Sequence, residues 1–476
     1  GSYYKKDGTT KLLFAAGDKL YSDSPSISIK WDNQNDWEEP NSKQVNLDSS
    51  TTPGDIQIKE STQTVPTFTR DSVAYLSDGT QVASGQPRFE DGKFGKGVLI
   101  EEGTTNLLTA NMSSVETDVT GFAVQGNATF FRDTVIKWQG NASLKVSAAA
   151  GVGWDGVSST AVPVSPSTTY TFSIYVFCGW SPSMFIGVFG NISGSLGEKG
   201  FYPPVNAWRR ETVTITTGAS DTSVIVRIGK NGIAEAVDFW IDGLQLEQKA
   251  YATSWQIGGT VRTGESLTIP MAGVFERSNW TIALTHQPTS SMTVGNKSKV
   301  LWQYFIDANN YYQLLIGWVG EVLLQVCSGG TLKQLVGYTA SQQAIGVNNH
   351  YVITGDGTTI TLTVNGVQQA TSTYVEPVGT LPTNMYIGSD YNGYSHCNGI
   401  IDEFRIDKIA RTDAEIADWY NANAPSTPDE YTTYLSHFDG SLTSESLPHA
   451  YWESAPKDVS QASNKASGKA VITQTL

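Results

Sequence analysis

The chain has 476 residues, 16% of them charged, and a formal net charge of −15. One hydrophobic core stops growing near about 250 to 300 residues, so this length predicts about two to four domains. No cluster of Lys or Arg could neutralise a run of phosphates, and no stretch approaches the roughly 20 apolar residues of a membrane helix. Binding to nucleic acid and insertion into a membrane are therefore not expected.

The abundance of Gly, Thr, Ser, Asn and aromatic residues is typical of many short strands joined by turns, and it predicts an all-β protein. Residues 1–60 are polar and irregular, so their fold stays open, although one alternating run predicts a strand at 26–31. From 61 to 108, short alternating segments surround Asp-Gly and Gly-Lys turns. This spacing predicts antiparallel strands in a β-rich connecting tract.

Two longer regions carry strand patterns at regular spacing. Between 109 and 250, about eight strand signals in about 140 residues fit one jelly-roll sandwich. A second set at 251–424 predicts another sandwich, with hairpin turns at 355–357 and at Asn365-Gly366. The predicted fold is all-β, with tandem antiparallel β-sandwiches (jelly rolls), an N-terminal β-rich region and a short C-terminal extension.

Only one segment has a helical pattern. Thr412 is the expected N-cap and Glu415 its capping-box partner, ahead of an apolar turn at 416–420. A Pro-Ser-Thr-Pro stretch follows, so 425–476 is assigned as a linker and a C-terminal β extension.

The three cysteines are Cys178, Cys327 and Cys397. Their number is odd and their spacing is not that of metal ligands, so the sequence supports neither a disulfide framework nor a zinc site. We expect all three to be small buried hydrophobic residues.

Residues 280–420 resemble the laminin-G-like or concanavalin A-like lectin/glucanase modules of bacterial and phage proteins. The resemblance rests on Trp280-Thr-Ile-Ala, on Asn310-Tyr-Tyr-Gln-Leu and above all on the closing Gly399-Ile-Ile-Asp-Glu-Phe-Arg-Ile. It implies a β-sandwich of the kind that binds carbohydrate.

Residues 106–249 are similar to the jelly-roll carbohydrate-binding modules of xylanases and cellulases. The similarity rests on Asn106-Leu-Leu, on Trp208-Arg-Arg-Glu-Thr-Val-Thr and on the closing Phe239-Trp-Ile-Asp-Gly-Leu-Gln-Leu-Glu. It implies a second carbohydrate-binding-type sandwich in the same chain.

A third similarity brackets this first module. Tracts that recur in phage tail and phage-like structural proteins resemble the segments at 67–70, 87–89, 97–108 and 252–255. Because they stand on both sides of the first module, we expect that module to be embedded in a larger unit.

The sequence lacks local signatures of catalysis. Glucanases of the concanavalin type place paired carboxylates on one strand in a Glu-x-Asp-x-x-Glu pattern, and that pattern is absent. Asp402 and Glu403 are adjacent, so strand alternation predicts that they point to opposite faces. We interpret Asp402 as a structural residue of the closing strand, with a calcium ligand as the alternative. A catalytic pair from distant strands would leave no local pattern, so an enzyme remains the alternative.

Sugar binding needs exposed aromatic faces with amides or carboxylates beside them. In the first module, Trp154 with Asp155, and Trp180, stand among turn residues and are the candidate ligand contacts. Core packing or loop anchoring is the alternative for each tryptophan. Trp208 and Trp240 lie in strand patterns, and we expect both in the core.

In the second module, a polar and aromatic loop supplies the candidate contacts Tyr391, Asn392, Tyr394 and His396. An ordinary surface loop is the alternative interpretation. Both resemblances imply that structural Ca²⁺ is common, and Asp242 matches the aspartate of the closing strand in the first. A solvated or capping aspartate is the alternative for Asp242.

These observations predict a non-catalytic glycan- or receptor-binding component of a phage tail or bacterial surface assembly. The expected partners are cell-surface or extracellular polysaccharide and other virion or surface proteins, and a homotrimer is an expected assembly. The expected location is the virion tail, the extracellular space or the bacterial surface. The alternatives are a fibre spacer without ligand and a polysaccharide-degrading enzyme or its accessory module.

Overall fold

The computed structural model describes residues 66–444, apart from 294, 296, 338–342 and 430, together with four strand segments at 19–20, 42–46, 56–60 and 471–473. Within that part of the chain the fold is all-β, as predicted, with two short helices, of which only the one after Thr412 was expected from the sequence. Neither helix has the length and hydropathy needed to cross a bilayer. The strand predicted at 26–31 lies outside the described residues.

Nine strands and one helix precede the first sandwich in the described part of the chain. They are β1 (Lys19–Leu20), β2 (Ser42–Asn46), β3 (Ile56–Glu60), β4 (Thr67–Thr69), β5 (Ala74–Tyr75), β6 (Gln81–Val82), β7 (Arg88–Asp91), β8 (Lys96–Ile100), β9 (Thr104–Thr105) and α1 (Ala110–Ser114).

The first sandwich follows as eleven strands. They are β10 (Phe122–Gln125), β11 (Ala128–Asp133), β12 (Ser143–Ala148), β13 (Gly156–Ser159), β14 (Val162–Pro163), β15 (Thr169–Cys178), β16 (Met184–Gly190), β17 (Gly194–Phe201), β18 (Arg209–Thr216), β19 (Ser223–Lys230) and β20 (Val237–Glu247). One antiparallel sheet has the order β11-β12-β20-β15-β18, and the other has β10-β13-β19-β16-β17 with β14 beside β19. Inward residues such as Phe172 and Phe239 form one core between them.

The remaining elements complete the second sandwich and the chain end. They are β21 (Val261–Arg262), β22 (Ser266–Pro270), β23 (Trp280–Pro288), β24 (Lys299–Asp307), β25 (Asn310–Ile316), β26 (Val322–Ser328), β27 (Thr331–Gly337), β28 (Asn349–Gly355), β29 (Thr359–Val364), β30 (Val367–Thr373), β31 (Asn384–Ile387), β32 (Gly399–Asp407), α2 (Asp413–Ala422), β33 (Thr432–Ser436) and β34 (Val471–Thr473).

The second sandwich has two large antiparallel sheets. The seven-stranded sheet has the order β27-β26-β25-β24-β31-β22-β4, and the eight-stranded sheet has β30-β29-β28-β23-β32-β8-β7 with β33 beside β32. Trp280, Trp302 and Tyr351 are fully buried in the core between the sheets. Small sheets join β21 to β9 and β5 to β6, and β1, β3, β2 and β34 form a four-stranded sheet.

The first sandwich is inserted into the second. Strand β4 pairs with β22, and β8 pairs with β32, so strands that precede the first sandwich belong to the sheets of the second. The predicted boundary at 61–108 therefore differs from the structure, in which this tract is not a separate connector. The pattern identified the strands, but pairing partners more than 190 residues away leave no local trace.

Several local predictions are confirmed. The Thr412 side chain accepts a hydrogen bond from the backbone N–H of Glu415, and α2 begins at the next residue after this cap. Asn365 and Gly366 form the turn between β29 and β30 with φ of 51° and 74°, the left-handed values that a tight hairpin requires. The three cysteines are buried and unbonded to one another.

Candidate functional site

The two candidate tryptophans of the first sandwich lie at the same end of that sandwich. Trp154 stands in the loop between β12 and β13, and Trp180 in the loop between β15 and β16. The C-terminal ends of β12 and β15 both pair with the start of β20. The two loops therefore lie at the end of the sandwich where β20 begins. The Trp154 and Trp180 side chains are 54% and 41% exposed. Trp154 packs edge-on against Phe185, with 4.8 Å between ring centroids.

Asp155 is not exposed beside these rings, and its assignment as a ligand contact is wrong. Its carboxylate forms a buried ion pair with Lys230 at 3.2 Å and accepts the backbone N–H of Asn127 at 2.8 Å. Lys230 also donates to the carbonyl oxygens of Ala149 and Gly151. A buried charge needs such partners, so Asp155 fixes the loop that holds Trp154.

The prediction that Trp208 and Trp240 lie in the core is also wrong. Both are half-buried, on the outer face of the five-stranded sheet. Phe239 and Ile241 point into the core, so alternation along β20 turns Trp240 outward. The sequence could have shown this, because Phe239 and Trp240 are adjacent in a strand and cannot both point into the core.

These side chains belong to a row that crosses the outer face of the five-stranded sheet. Phe131, Lys145, Trp240 and Phe177 face one another across successive strands, and Trp208 follows beside Phe177. The centroid of Phe177 is 5.7 Å from that of Trp240 and 5.6 Å from that of Trp208. Phe131 is 50% exposed. These five residues are termed the aromatic row.

Polar groups hold the aromatic row in position. The Lys145 ammonium lies 5.6 Å from the Phe131 centroid and 5.1 Å from the Trp240 centroid, and it pairs with Asp238 at 2.8 Å. The indole N–H of Trp240 donates to Asp133 at 2.8 Å. The row therefore places aromatic rings beside carboxylate and ammonium groups, a combination that can contact the C–H and O–H groups of a pyranose.

The candidate loop of the second sandwich divides into exposed and buried residues. Tyr391 stacks on Phe305 with 3.6 Å between centroids and an angle of 4°, and it is 42% exposed. Asn392 is exposed and Tyr394 is 76% exposed. His396 is buried, and burial lowers its pKa, so its assignment as a ligand contact is wrong. Phe305 was missed because the pattern of its strand does not show which face it takes.

Asp242 does not fit a calcium site. Its carboxylate accepts the backbone N–H groups of Trp138, Gln139 and Gly243, and burial raises its pKa to about 8 against the effect of these donors. A calcium ligand needs an ionised carboxylate with free lone pairs and further oxygen ligands. Among the residues that the structure describes, no three His, Cys, Asp or Glu side chains are grouped as a metal would require.

Asp402 has the corresponding position in the second sandwich. It accepts the backbone N–H groups of Lys93, Phe94 and Glu403, which fits the predicted structural role. The Asp402 and Glu403 side chains are both buried. Glu403 has a φ of 55°, which interrupts the alternation, and its carboxylate lies 2.6 Å from Nδ1 of His437.

The fold and these surfaces define an all-β protein in which one antiparallel β-sandwich is inserted into another. The family model of the concanavalin A-like lectin/glucanases superfamily matches residues 261–417, which belong to the second sandwich. No curated protein sequence matches the chain.

Solved structures show local similarity at low identity. The receptor binding domain of botulinum neurotoxin mosaic serotype C/D is 13% identical over 33% of this chain, with a TM-score of 0.29, and the match spans only 40% of the toxin chain. Domain 4 of the extracellular arabinanase AbnA from Geobacillus stearothermophilus, solved with arabinotriose, is 21% identical over 36% of this chain and 80% of its own, with a TM-score of 0.28. The CBM22-1 xylan-binding domain from Paenibacillus barcinonensis Xyn10C is 15% identical over 31% of this chain and 96% of its own, with a TM-score of 0.26.

Proposed function

We propose that the chain is a non-catalytic glycan- or receptor-binding component of a phage tail or bacterial surface assembly, and that the aromatic row binds the sugar. The observation that carries this proposal is the line of aromatic rings across one sheet, with Lys145 among them and Asp133 and Asp238 beside them. Rings stack on the C–H faces of pyranoses, while the charged groups bond their hydroxyls.

A glycan array followed by calorimetry tests the aromatic row. Replacing Phe131 or Trp208 by Ala should weaken binding of a captured glycan by about tenfold or more, since burying such a ring contributes on the order of 1.5 kcal/mol or more. Trp318→Ala is the matched control, because Trp318 is 56% exposed in a turn of the second sandwich. An array without any binding, or equal affinities of the row variants and the control, would contradict the proposal.

Trp154, Trp180 and Tyr394 provide a separate test of the positions suggested by the sequence. If the Ala variants of these residues weaken binding and the aromatic-row variants do not, the site lies at the loop end or on the second sandwich. The double variant Trp154→Ala/Trp180→Ala tests the two exposed indoles of the loop end together.

The non-catalytic part of the proposal has its own assay. Incubation with host envelope or capsule polysaccharide should release no reducing ends, and their release would replace binding by depolymerisation as the function. The virion or surface location is supported by the similarity of 67–108 and 252–255 to phage tail proteins. Light scattering tests the homotrimer that a fibre component would form.

A further inference from the structure

Five connections between strands meet at the end of the first sandwich where β20 begins. The C-terminal ends of β12 and β15 lie there because they pair with the start of β20. The start of β11 lies there because Ala128 faces Ala148, and Met184 at the start of β16 faces both Phe201 and Lys230. The connections are 126–127, 149–155, 179–183, 202–207 and 231–236. We term them together the tip.

The tip exposes large apolar side chains from three of its connections. Besides Trp154 and Trp180, Val152 is 82% exposed, Tyr202 is 65% exposed and Val205 is also exposed. A whole aromatic side chain presents about 150 to 250 Å², so these five present on the order of 500 Å² of apolar surface. A stable protein–protein interface buries about 800 Å² per partner, of which somewhat more than half is apolar. The tip therefore has the apolar area that one partner contributes to such an interface.

The tip is almost free of charge. Its only charged residues are Asp155 and Glu235, and Asp155 is buried against Lys230. A soluble surface usually has about 25–35% charged residues, and this chain has a net charge of −15. The tip is therefore an uncharged, apolar region on a strongly acidic protein, and interface cores have this composition.

Hydrogen bonds between the connections fix the tip. The backbone N–H of Gly151, after β12, donates to the carbonyl oxygen of Ala234, after β19, at 2.8 Å. The backbone N–H of Asn231 donates to the carbonyl oxygen of Ser183, after β15, at 2.9 Å. The apolar side chains are therefore held at the surface before a partner binds, which lowers the entropy cost of association.

The lack of charge indicates which partner the tip fits. A twofold contact brings the same surface of two copies together, so charges within that surface approach their own like charges. Two copies of an acidic chain repel each other over most of their surfaces, whereas an uncharged apolar tip is complementary to itself. A membrane is less favoured, because the tip has no Lys or Arg to attract anionic lipid. We propose that two copies of the chain join tip to tip about a twofold axis. The interface goes beyond sugar binding and does not require it.

The mass of the full chain in solution, measured by sedimentation over a range of concentrations, tests this interface. The parent should have twice the mass of Val152→Glu, whether that variant is a monomer or the homotrimer considered above. The substitution should weaken association at least tenfold, because it places like charges in both copies of the contact. Tyr202→Glu, on another connection, should have the same effect and keeps the test valid if one variant misfolds.

Val135→Glu is the matched control. Val135 is 84% exposed between β11 and β12, at the opposite end of the sandwich, so this variant should keep the mass of the parent. Its thermal unfolding should match that of Val152→Glu, since both positions are exposed. Added NaCl should strengthen the dimer, because it screens the repulsion between two chains of net charge −15.

Equal masses of the parent and both tip variants, an equal loss of mass in Val135→Glu, or weaker association in NaCl would overturn this inference. A parent that stays in the mass of the tip variants but binds phosphatidylcholine vesicles through Val152 would overturn it in favour of a lipid partner. The two proposals fail separately. A chain that dimerises through the tip and binds no glycan contradicts only the proposed function, whereas glycan binding without a mass change in the tip variants contradicts only this inference.

Discussion

The sequence did not determine whether the polar residues next to exposed aromatic residues are themselves exposed. Asp155 follows the exposed Trp154, and His396 follows the exposed Tyr394 by two positions, yet both polar side chains are buried. Asp155 is neutralised by Lys230, whereas burial lowers the pKa of His396 and favours its neutral form. The same physical rule, that a buried charge is paired or suppressed, explains both corrections.

His286 gives this rule a measurable consequence. It is fully buried, and burial lowers its pKa to about 3, whereas an unfolded histidine titrates near 6.5. Between these values the unfolded chain binds a proton that the folded chain does not, so the free energy of unfolding should fall as the pH falls from about 6.5. The limiting slope for one group is about 1.4 kcal/mol per pH unit.

Denaturant unfolding of the parent and of His286→Leu at pH 7.5, 6.0, 5.0 and 4.5 checks this prediction. The variant should lose less stability per pH unit than the parent, whatever its stability at pH 7.5. Parallel pH profiles would show that His286 does not contribute to the acid sensitivity.

At the scale of single elements, the closing strands β20 and β32 share one device. In each, an aspartate is followed by a residue with left-handed φ, Gly243 at 56° and Glu403 at 55°, and the register shifts opposite this point. The aspartate accepts the N–H of that residue and two N–H groups of an adjacent loop. The bulge therefore turns a strand aspartate into an anchor for a loop.

Gly243→Ala should destabilise the protein more than a left-handed φ alone explains. A Cβ at Gly243 would lie 2.7 Å from the Trp138 ring and 2.8 Å from the Tyr175 ring, which stack on each other. Gly232→Ala is the control, because Gly232 has a φ of 64° and a Cβ at this position would have no other atom within 4 Å. We expect a loss of about 1 kcal/mol for the control and about 2 to 4 kcal/mol for Gly243→Ala, measured by thermal unfolding. Equal losses would mean that the rings move aside freely.

At the scale of the whole molecule, a buried ionic network joins the segments that enter and leave the first sandwich. Glu265 binds Arg70 at 2.8 Å and Arg88 through both oxygens, and Arg88 also binds Glu101 at 2.8 Å. Arg262 lies 3.4 Å from Glu101. Burial alone would raise the pKa of Glu101, but Arg262 and Arg88 lower it to about 2. The network therefore links the chain segments that precede and follow the first sandwich.

Glu265→Gln should destabilise the protein by about 3 to 5 kcal/mol, since it leaves buried guanidinium groups without compensation. Asp91→Asn removes the exposed ion pair with Lys96 and should change stability little. Denaturant unfolding monitored by tryptophan fluorescence compares the two variants. A Glu265→Gln protein as stable as Asp91→Asn would show that the network is dispensable for folding.

The sequence predicted most local features and few of the pairings. The strand patterns within the described residues, the Thr412 cap, the Asn365-Gly366 turn and the buried cysteines follow from neighbouring residues and are present in the structure. The exposure of Trp154, Trp180, Tyr391 and Tyr394 followed from the turn residues around them. The aromatic row could not be predicted, because it needs the pairing of β20 with β12 and β15, from which β20 is far apart in the chain.

What the sequence by itself determined is the all-β class, because alternation and turn chemistry are local properties that each segment carries alone. The position of each strand was decided only by the tertiary structure. Phe177 and Trp240 are 63 residues apart in the chain and become neighbours through the β15–β20 register. Pairing between strands so far apart in the chain depends on how the strand faces pack into the two cores. A local sequence pattern does not contain that information.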